Sequence, residues 1–411
     1  MAQLNITLNQ EEILQLLSED REEAFKVMLQ STFNQIMKVE SEEQLCAKRY
    51  ERSEERTDSR NGERERSLTT RIGKIKLKVP RHRNVPFHTL IFDNYTRSEA
   101  SLITTMAEMV VAGVSTRKVG QVMETLCGTS FSKSSVSEVC KTLDEEVERF
   151  RSRELTEEYP FLIIDATYFK GREEHRITAK AFMIAIGITD EGHRQIIGFA
   201  PYENESAETW SAFLESLKAR GLHGVRMVTA DAHDGILSAL GSKLPTVPWQ
   251  RCHYHFTKNI VEKSPKKYQE GLRTELREMF NCETIDEARA RKDEIIRDYA
   301  DVAEDSMNCL DEGFEDSMTV MALPEDIRTM LRTSNMIERV NKELKRRSKV
   351  IGIFPNAASI TRLMGSVLID VNEGWMTGYR LFYRPTYNAV VRCTVALQEI
   401  ARIQQNVRRS S

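Results

Sequence analysis

The sequence contains no apolar run approaching the ~20 residues that cross a bilayer, and its start, "MAQLNITLNQEEILQLL", has no basic segment leading into an apolar core. Neither a membrane span nor export is expected. Seven cysteines, at 46, 127, 140, 252, 282, 309 and 393, include no C-x2-C pair, and all eight histidines lie at or before position 255. That scatter excludes a disulfide framework and favours free thiols in a reducing cytoplasm. Internal repeats and low-complexity tracts are also missing. What is present, 411 residues of which 40% are hydrophobic and 29% charged, is the composition of a soluble globular protein of two or three domains.

The net charge of −3 hides an asymmetry. Residues 1 to 45 hold nine acids against three bases, whereas residues 66 to 83, "RSLTTRIGKIKLKVPRHR", hold seven Lys or Arg and no acid. Within that basic stretch Ile72, Ile75, Leu77 and Val79 alternate with bases, which predicts a strand or hairpin with one basic face. Arg71, Lys74, Lys76, Lys78, Arg81 and Arg83 are candidate phosphate contacts, with a solvated strand face as the plain alternative. Residues 9 to 38 space apolar side chains at three and four and predict an amphipathic helix. The polar stretch from Cys46 to Glu65 reads as a linker.

Residues 98 to 150 predict three short helices, with caps at Ser115 and at Ser132 or Ser134. A helix-turn-helix would place Lys133, Ser134 and Ser135 at the start of its recognition helix, and an ordinary three-helix packing unit stays equally open. From residue 160 the pattern changes. "FLIIDATYFK", "AKAFMIAIGIT" and "RQIIGFAPYE" predict an antiparallel meander, followed by helix, strand "VRMVTAD", helix and strand "TVPWQRCHYHF". The expected order is therefore 1–65 helical region and linker, 66–96 basic hairpin, 97–158 helical, 159–258 first part of an α/β core, 259–325 an all-helical insertion, and 326–411 core completion.

Three carboxylates stand out. Asp165, in "PFLIIDATYFKGR", is expected to end the first core strand, and Asp231, in "MVTADAHDG", the fourth; functional groups collect at strand ends in α/β sheets. An aspartate after a strand is also a common cap. Glu338 opens a basic helix, "RTSNMIERVNKELKRRSK", where Lys342, Arg346 and Arg347 are candidate backbone contacts; the alternative is a capping box with Asn335. Two close carboxylates repel unless divalent cations bind, and a third acid completes an oxygen site for Mg²⁺. Lys170 and Arg172 are further candidate phosphate contacts, or residues of a solvated turn. Glu343 and Asp234 are rivals to Glu338 and Asp231. Cys252 and His255 have the C-x2-H spacing of half a zinc site; with no second pair, zinc is not expected.

Five segments, "NGERERSLTTRIGKIKLKVPRHR", "LIIDATYFKGR", "VTADAHDGI", "WQRCHYHFTKN" and "RTSNMIERVNKELKRRSKVIGIFPN", occurring in this order, closely resemble the bacterial Mutator-type insertion-sequence transposases. The resemblance covers most of residues 60 to 360. It implies a ribonuclease H-like core, a mixed sheet of three antiparallel strands plus parallel ones, interrupted by an all-helical insertion. It implies DDE chemistry with Asp165, Asp231 and Glu338 as metal-holding catalytic residues, Mg²⁺ as cofactor with Mn²⁺ as substitute, and Asp165 bridging two ions. The C-x2-H pair, Cys252 and His255, is a recurring element of the family. Expected partners are the element's terminal inverted repeats, target DNA and a second copy of the chain, in the cytoplasm at the nucleoid. A copy-out, paste-in route is implied by the resemblance alone. The rival functions are a ribonuclease H-like nuclease or resolvase that does not join strands, and an inactive DNA-binding regulator.

Overall fold

The computed structural model describes residues 21–51, 56–70, 72–92, 100–127, 130–174 and 176–410. It divides into two compact units, Met1–Thr142 and Leu143–Ser411. Of the expected helix over 9 to 38, residues 9 to 20 lie outside the described residues, as does Arg71.

In the first unit, helix α1 (Arg21–Leu45) covers a hairpin of β1 (Arg60–Thr70) and β2 (Gly73–His82). The period-two pattern of β2 sorts its side chains: Ile75, Leu77 and Val79 are buried with Met37 and Leu68, while Lys74, Lys76 and Lys78 face water. β1 begins at Arg60, inside the stretch expected to be a linker. Its first residues are held by backbone pairing, Glu63 opposite Pro80 and Glu65 opposite Lys78, with exposed side chains, so no apolar alternation marks them. Before the hairpin, the Asp58 carboxylate accepts backbone N–H bonds from Ser59 (2.6 Å), Asn84 (2.8 Å) and Val85 (2.8 Å). These bonds, from Val85, Asn84 and Ser59, hold its pKa down at about 2.

Helices α2 (Ala100–Val111), α3 (Thr116–Cys127) and α4 (Lys133–Val139) share a core of Leu102, Met106, Val119, Met123 and Val136. Ser115 Oγ accepts from Lys118 N at 3.3 Å and Ser132 Oγ from Ser135 N at 3.1 Å, which are the expected caps. Gly120 allows the close approach of α3 to the connection before α4: an added Cβ would stand 2.6 Å from the Phe131 carbonyl oxygen.

The second unit opens with α5 (Leu143–Ser152) and is built on strands β3 (Phe161–Glu173), β4 (Arg176–Ile188), β5 (Arg194–Tyr202), β6 (Met227–Ala230) and β7 (Trp249–Arg251). Their order is β5-β4-β3-β6-β7, with β3, β4 and β5 antiparallel and β6 and β7 parallel to β3. The expected meander with added parallel strands is present. Helices α6 (Ala207–Ala219) and α7 (Asp234–Lys243) cover one face, burying Trp210, Phe213 and Leu217 against Leu162, Ile164 and Met183. Each such large side chain contributes about 1.5–3 kcal/mol by leaving water.

Two strand boundaries differ from expectation. β3 does not end at Asp165; it pairs with β4 from Phe161↔Ile188 through Asp165↔Ile184 to Glu173↔Arg176. Lys170 and Arg172 are therefore strand residues, not turn residues. "TVPWQRCHYHF" is a strand only over Trp249–Arg251, and α8 (His253–Glu262) starts immediately after Cys252. His253, Phe256 and Ile260 follow helical spacing, and a short apolar run fits either period.

The stretch after α8 is helical throughout its described length. α9 (Gln269–Met279), α10 (Ile285–Tyr299) and α11 (Glu304–Ser317) enclose their own core with α8, including Phe256, Leu272, Leu276, Leu310 and Phe314; α12 (Glu325–Leu331) then leads back. The chain returns through α13 (Asn335–Ser348) and α14 (Ala357–Met376), and ends with α15 (Arg384–Arg392) and α16 (Thr394–Ser410). α14 crosses the second face of the sheet, where Asn372 Oδ1 accepts from Ile196 N at 2.8 Å and Gly365 lets α14 approach Phe199 of β5. None of the described helices is long and apolar enough to cross a membrane.

Candidate active site

Strands β3 and β6 run parallel in the register Phe161↔Met227, Leu162↔Val228, Ile163↔Thr229. Two residues beyond the last pair come Asp165, still within β3, and Asp231, just past the end of β6. Asp231 follows the end of β6 directly, and its Oδ1 accepts from Ala232 N at 2.7 Å. Asp165 sits where β3 loses β6 as a neighbour. Burial pushes its carboxyl up to about 7; His255 and the Ala166 N–H act against this, and the charges of Glu205 and Asp231 add to it. Glu205, in the loop after β5, is an acid at this site that the sequence reading missed.

Helix α13 lies against the extended half of β3. Glu338, Asn341 and Lys345, spaced by three and four, share one helical face. Asn341 Nδ2 donates to Asp165 Oδ2 at 2.9 Å, and Lys345 donates to the Tyr168 carbonyl with its ammonium 4.9 Å from the Phe169 ring centre. The chain beyond α13 then joins β3 directly: Phe354 N donates to the Lys170 carbonyl (2.8 Å) and Arg172 N to the Phe354 carbonyl (2.9 Å). Asn341 was not singled out from sequence, although its spacing of three from Glu338 was the available clue. Asn335 is the first helical residue and no side chain caps this helix, so Glu338 is not part of a capping box with Asn335.

Ser334 has another engagement. Its N–H donates to Cys252 Sγ at 3.2 Å, its hydroxyl bonds the same sulfur at 3.1 Å, and the hydroxyl also donates to Glu338 Oε1 at 3.3 Å. His255, in the first turn of α8, has a ring nitrogen within 4.8 Å of the sulfur. Burial raises the Cys252 thiol, but His255 and Ser334 outweigh it and the net shift is downward. The same contact, with Asp231 and Asp165 nearby, pushes His255 up to about 9. Cys252, His255 and Glu338 bring one ligand-type atom each within 4.8 Å of one another. The C-x2-H pair thus stands beside Glu338, although Cys252 lies 86 residues before it (338 − 252).

Asp165, Asp231 and Glu338 are oxygen donors of the kind hard divalent cations take, although among the described residues the potential ligands gathered within 4.8 Å of one another are Cys252, His255 and Glu338. Asp165 and Asp231 are like charges near enough to act on one another, none of the three carboxylates forms an ion pair among the described residues, and the buried Asn341 Oδ1 has no hydrogen-bond partner.

The other candidates are distributed differently. Alternation along β3 puts Lys170 and Arg172, both exposed, on the face opposite Asp165. Lys342 is exposed on α13. Arg346 and Arg347 both pair with Glu343, at 2.7 Å each, and hold its carboxyl at about 2, so this rival acid is occupied. Asp234 is an exposed residue at the start of α7, three residues beyond Asp231. Lys133, Ser134 and Ser135 open α4 and are exposed, with Ser132 Oγ 2.8 Å from both serine hydroxyls. Arg81 and Arg83 are exposed at and beyond the end of β2.

The profile of the Mutator family of transposases matches residues 1–378. The transposase of insertion sequence IS256 in transposon Tn4001 of Staphylococcus aureus is 43% identical over 386 residues, covering 93% of this chain and 99% of its own. The transposases of ISRM5 from Rhizobium meliloti and IS1081 from Mycobacterium tuberculosis are 38% and 37% identical, over 87% and 89% of this chain and 90% of each relative.

Proposed function

The chain belongs to the Mutator family of transposases, enzymes that cut DNA and transfer its strands, and from that premise we propose a DDE mechanism on a ribonuclease H-like core. Asp165, Asp231 and Glu338 are the metal-holding residues. The observation that carries this reading is that Asp165 and Asp231 each stand two residues beyond the last β3–β6 pair, with the Glu338 helix tied to Asp165 through Asn341 at 2.9 Å.

Two divalent cations, Mg²⁺ or Mn²⁺, would supply charge compensation at the scissile phosphate and a more acidic attacking water or 3′-hydroxyl. Asp165, Asp231 and Glu338 would hold them. The protein's own share is positional. Asn341 fixes the rotation of the Asp165 carboxylate, Ser334 that of Glu338, and the rigid β3–β6 ladder sets the spacing between the aspartates. The enzyme binds the terminal inverted repeats of its element, exposes a 3′-OH, and joins it to DNA by direct transesterification, with no covalent protein intermediate. Two ends must meet, so the acting form is at least a homodimer, and the copy-out, paste-in route is part of the proposal. The exposed bases of β2 and the start of α4 are the proposed contacts to the repeat.

The test is Mg²⁺-dependent joining of a terminal-repeat oligonucleotide to a plasmid. Replacing Asp165, Asp231 or Glu338 by Ala is expected to lower joining by at least about 10³-fold, the scale of losing a central electrostatic element, with binding to the repeat unchanged. Cleavage without joined product would favour a nuclease. Activity persisting in any one variant would remove that residue from the site.

A further inference from the structure

The helical insertion carries bases on two faces and treats them differently. On α10 three of the four are neutralised within the fold: Arg289 pairs with Glu315 at 3.0 Å, Arg291 with Glu294 at 2.8 Å and Glu278 at 3.1 Å, and Lys292 with Asp311 at 2.5 Å. α8 and α9 instead border a groove of about 1060 Å³ lined by Tyr254, Lys258, Lys266, Arg273, Arg277 and Arg332. Lys266, Arg273 and Arg277 form no ion pair among the described residues. Lys258 has only a 3.8 Å approach to Glu262, and Arg332 is anchored on the Phe280 carbonyl at 2.8 Å with its charge uncompensated by any acid among the described residues. Glu262 and Glu270 are the acids of the groove, leaving an excess of three positive charges (5 − 2).

Cations left unpaired along a concave surface match a polyanion of regular spacing. A nucleic acid backbone has that chemistry. Tyr254, 54% exposed, adds an aromatic face of the kind on which bases stack. The location is informative too. Tyr254 lies between Cys252 and His255, and Arg332 and Thr333 immediately precede Ser334, so the groove opens at the residues that hold Glu338.

We propose that this groove is the docking surface for donor DNA flanking the element end, on the far side of the scissile phosphate. The inference rests on the DDE reading above. The flank is covalently continuous with the bound end, so it reaches a groove that begins at the cutting site before any target DNA arrives.

The experiment uses the full chain and the triple variant K266A/R273A/R277A, whose exposed side chains leave the insertion core intact. Binding is measured by fluorescence anisotropy against salt on two duplexes: a terminal repeat extended by one helical turn of flank, and the same repeat ending at the 3′-OH. The variant is expected to bind the flanked duplex on the order of tenfold more weakly, with a log K against log [salt] slope about 3 lower, and to bind and join the pre-cut end as the wild type does. Equal binding of both duplexes by variant and wild type would overturn the proposal. Reduced joining of the pre-cut end to plasmid, with flank binding unchanged, would overturn it in favour of target DNA. If the wild type neither cleaves nor joins, the DDE reading itself has failed, and anisotropy on the flanked duplex still reports on the groove.

Discussion

At the scale of single residues, the Cys252 sulfur is the most consequential atom outside the three acids. It is fully buried, binds both polar groups of Ser334 and has a ring nitrogen of His255 within 4.8 Å. Removing a buried acceptor costs about 1–3 kcal/mol and leaves its donors unsatisfied. Cys252→Ala is therefore expected to lower the melting temperature by several degrees. It should also lower the joining rate at saturating Mg²⁺ with little change in repeat binding, because Ser334 then no longer fixes Glu338. A conservative Cys252→Ser variant should recover most of the rate, and full activity and stability in Cys252→Ala would exclude the positioning role. The C-x2-H spacing was visible from sequence. The partner was not, because Ser334 lies 82 residues away (334 − 252) and nothing local to it marks a contact with sulfur.

At the scale of elements, the two strand corrections have one physical origin. A strand runs as far as its partner supports it. β4 supports β3 to Glu173, so an aspartate that looked terminal sits in mid-strand, at the point where the neighbour on the other side ends. The hairpin of the first unit shows the same logic, since Arg60 to Glu65 are strand through pairing and not through composition. Its entry carries a pH dependence. Asp58 titrates at about 2 when folded against 3.8 when free. A carboxyl depressed in the folded state binds fewer protons there, so its stabilising contribution is present above pH ~4 and lost as pH falls toward ~2. Asp58→Asn should flatten that acid limb, and the amides of Asn84 and Val85, followed by NMR exchange, should open earlier in the variant at neutral pH. An unchanged exchange rate would show that the three backbone bonds do not secure the segment.

At the scale of the whole molecule, Leu143–Ser411 holds the complete sheet, the insertion and all three candidate acids around cores of its own. Expressed alone, this fragment is expected to melt cooperatively, to gain stability on adding Mg²⁺ by calorimetry, and to lose preference for the terminal repeat. A fragment that does not fold would show that the two units depend on each other. The α/β class, the meander and the helical run after β7 were legible because each is written in local pattern: apolar runs of strand length and three-and-four spacing. Asn341, Glu205 and Ser334 were not, because their roles arise from contacts between elements far apart in the chain. Arg346 and Arg347 looked like free bases for the same reason, since their engagement with Glu343 depends on side-chain geometry that residue type alone leaves open.

The meeting of Cys252 and Ser334 has a consequence for how the insertion can vary. Its two feet are joined side by side: His253 N donates to the Arg332 carbonyl at 3.0 Å, and Thr229 Oγ1 to the Leu331 carbonyl at 2.7 Å. Seen from the sheet, the intervening stretch has almost no length. Doubling it would cost only about 0.6 kcal/mol in closure entropy, and Glu338 would stay where it is. The insertion can therefore change in length or surface with little cost to the place of Glu338, because the joint at its feet lies outside the part that varies.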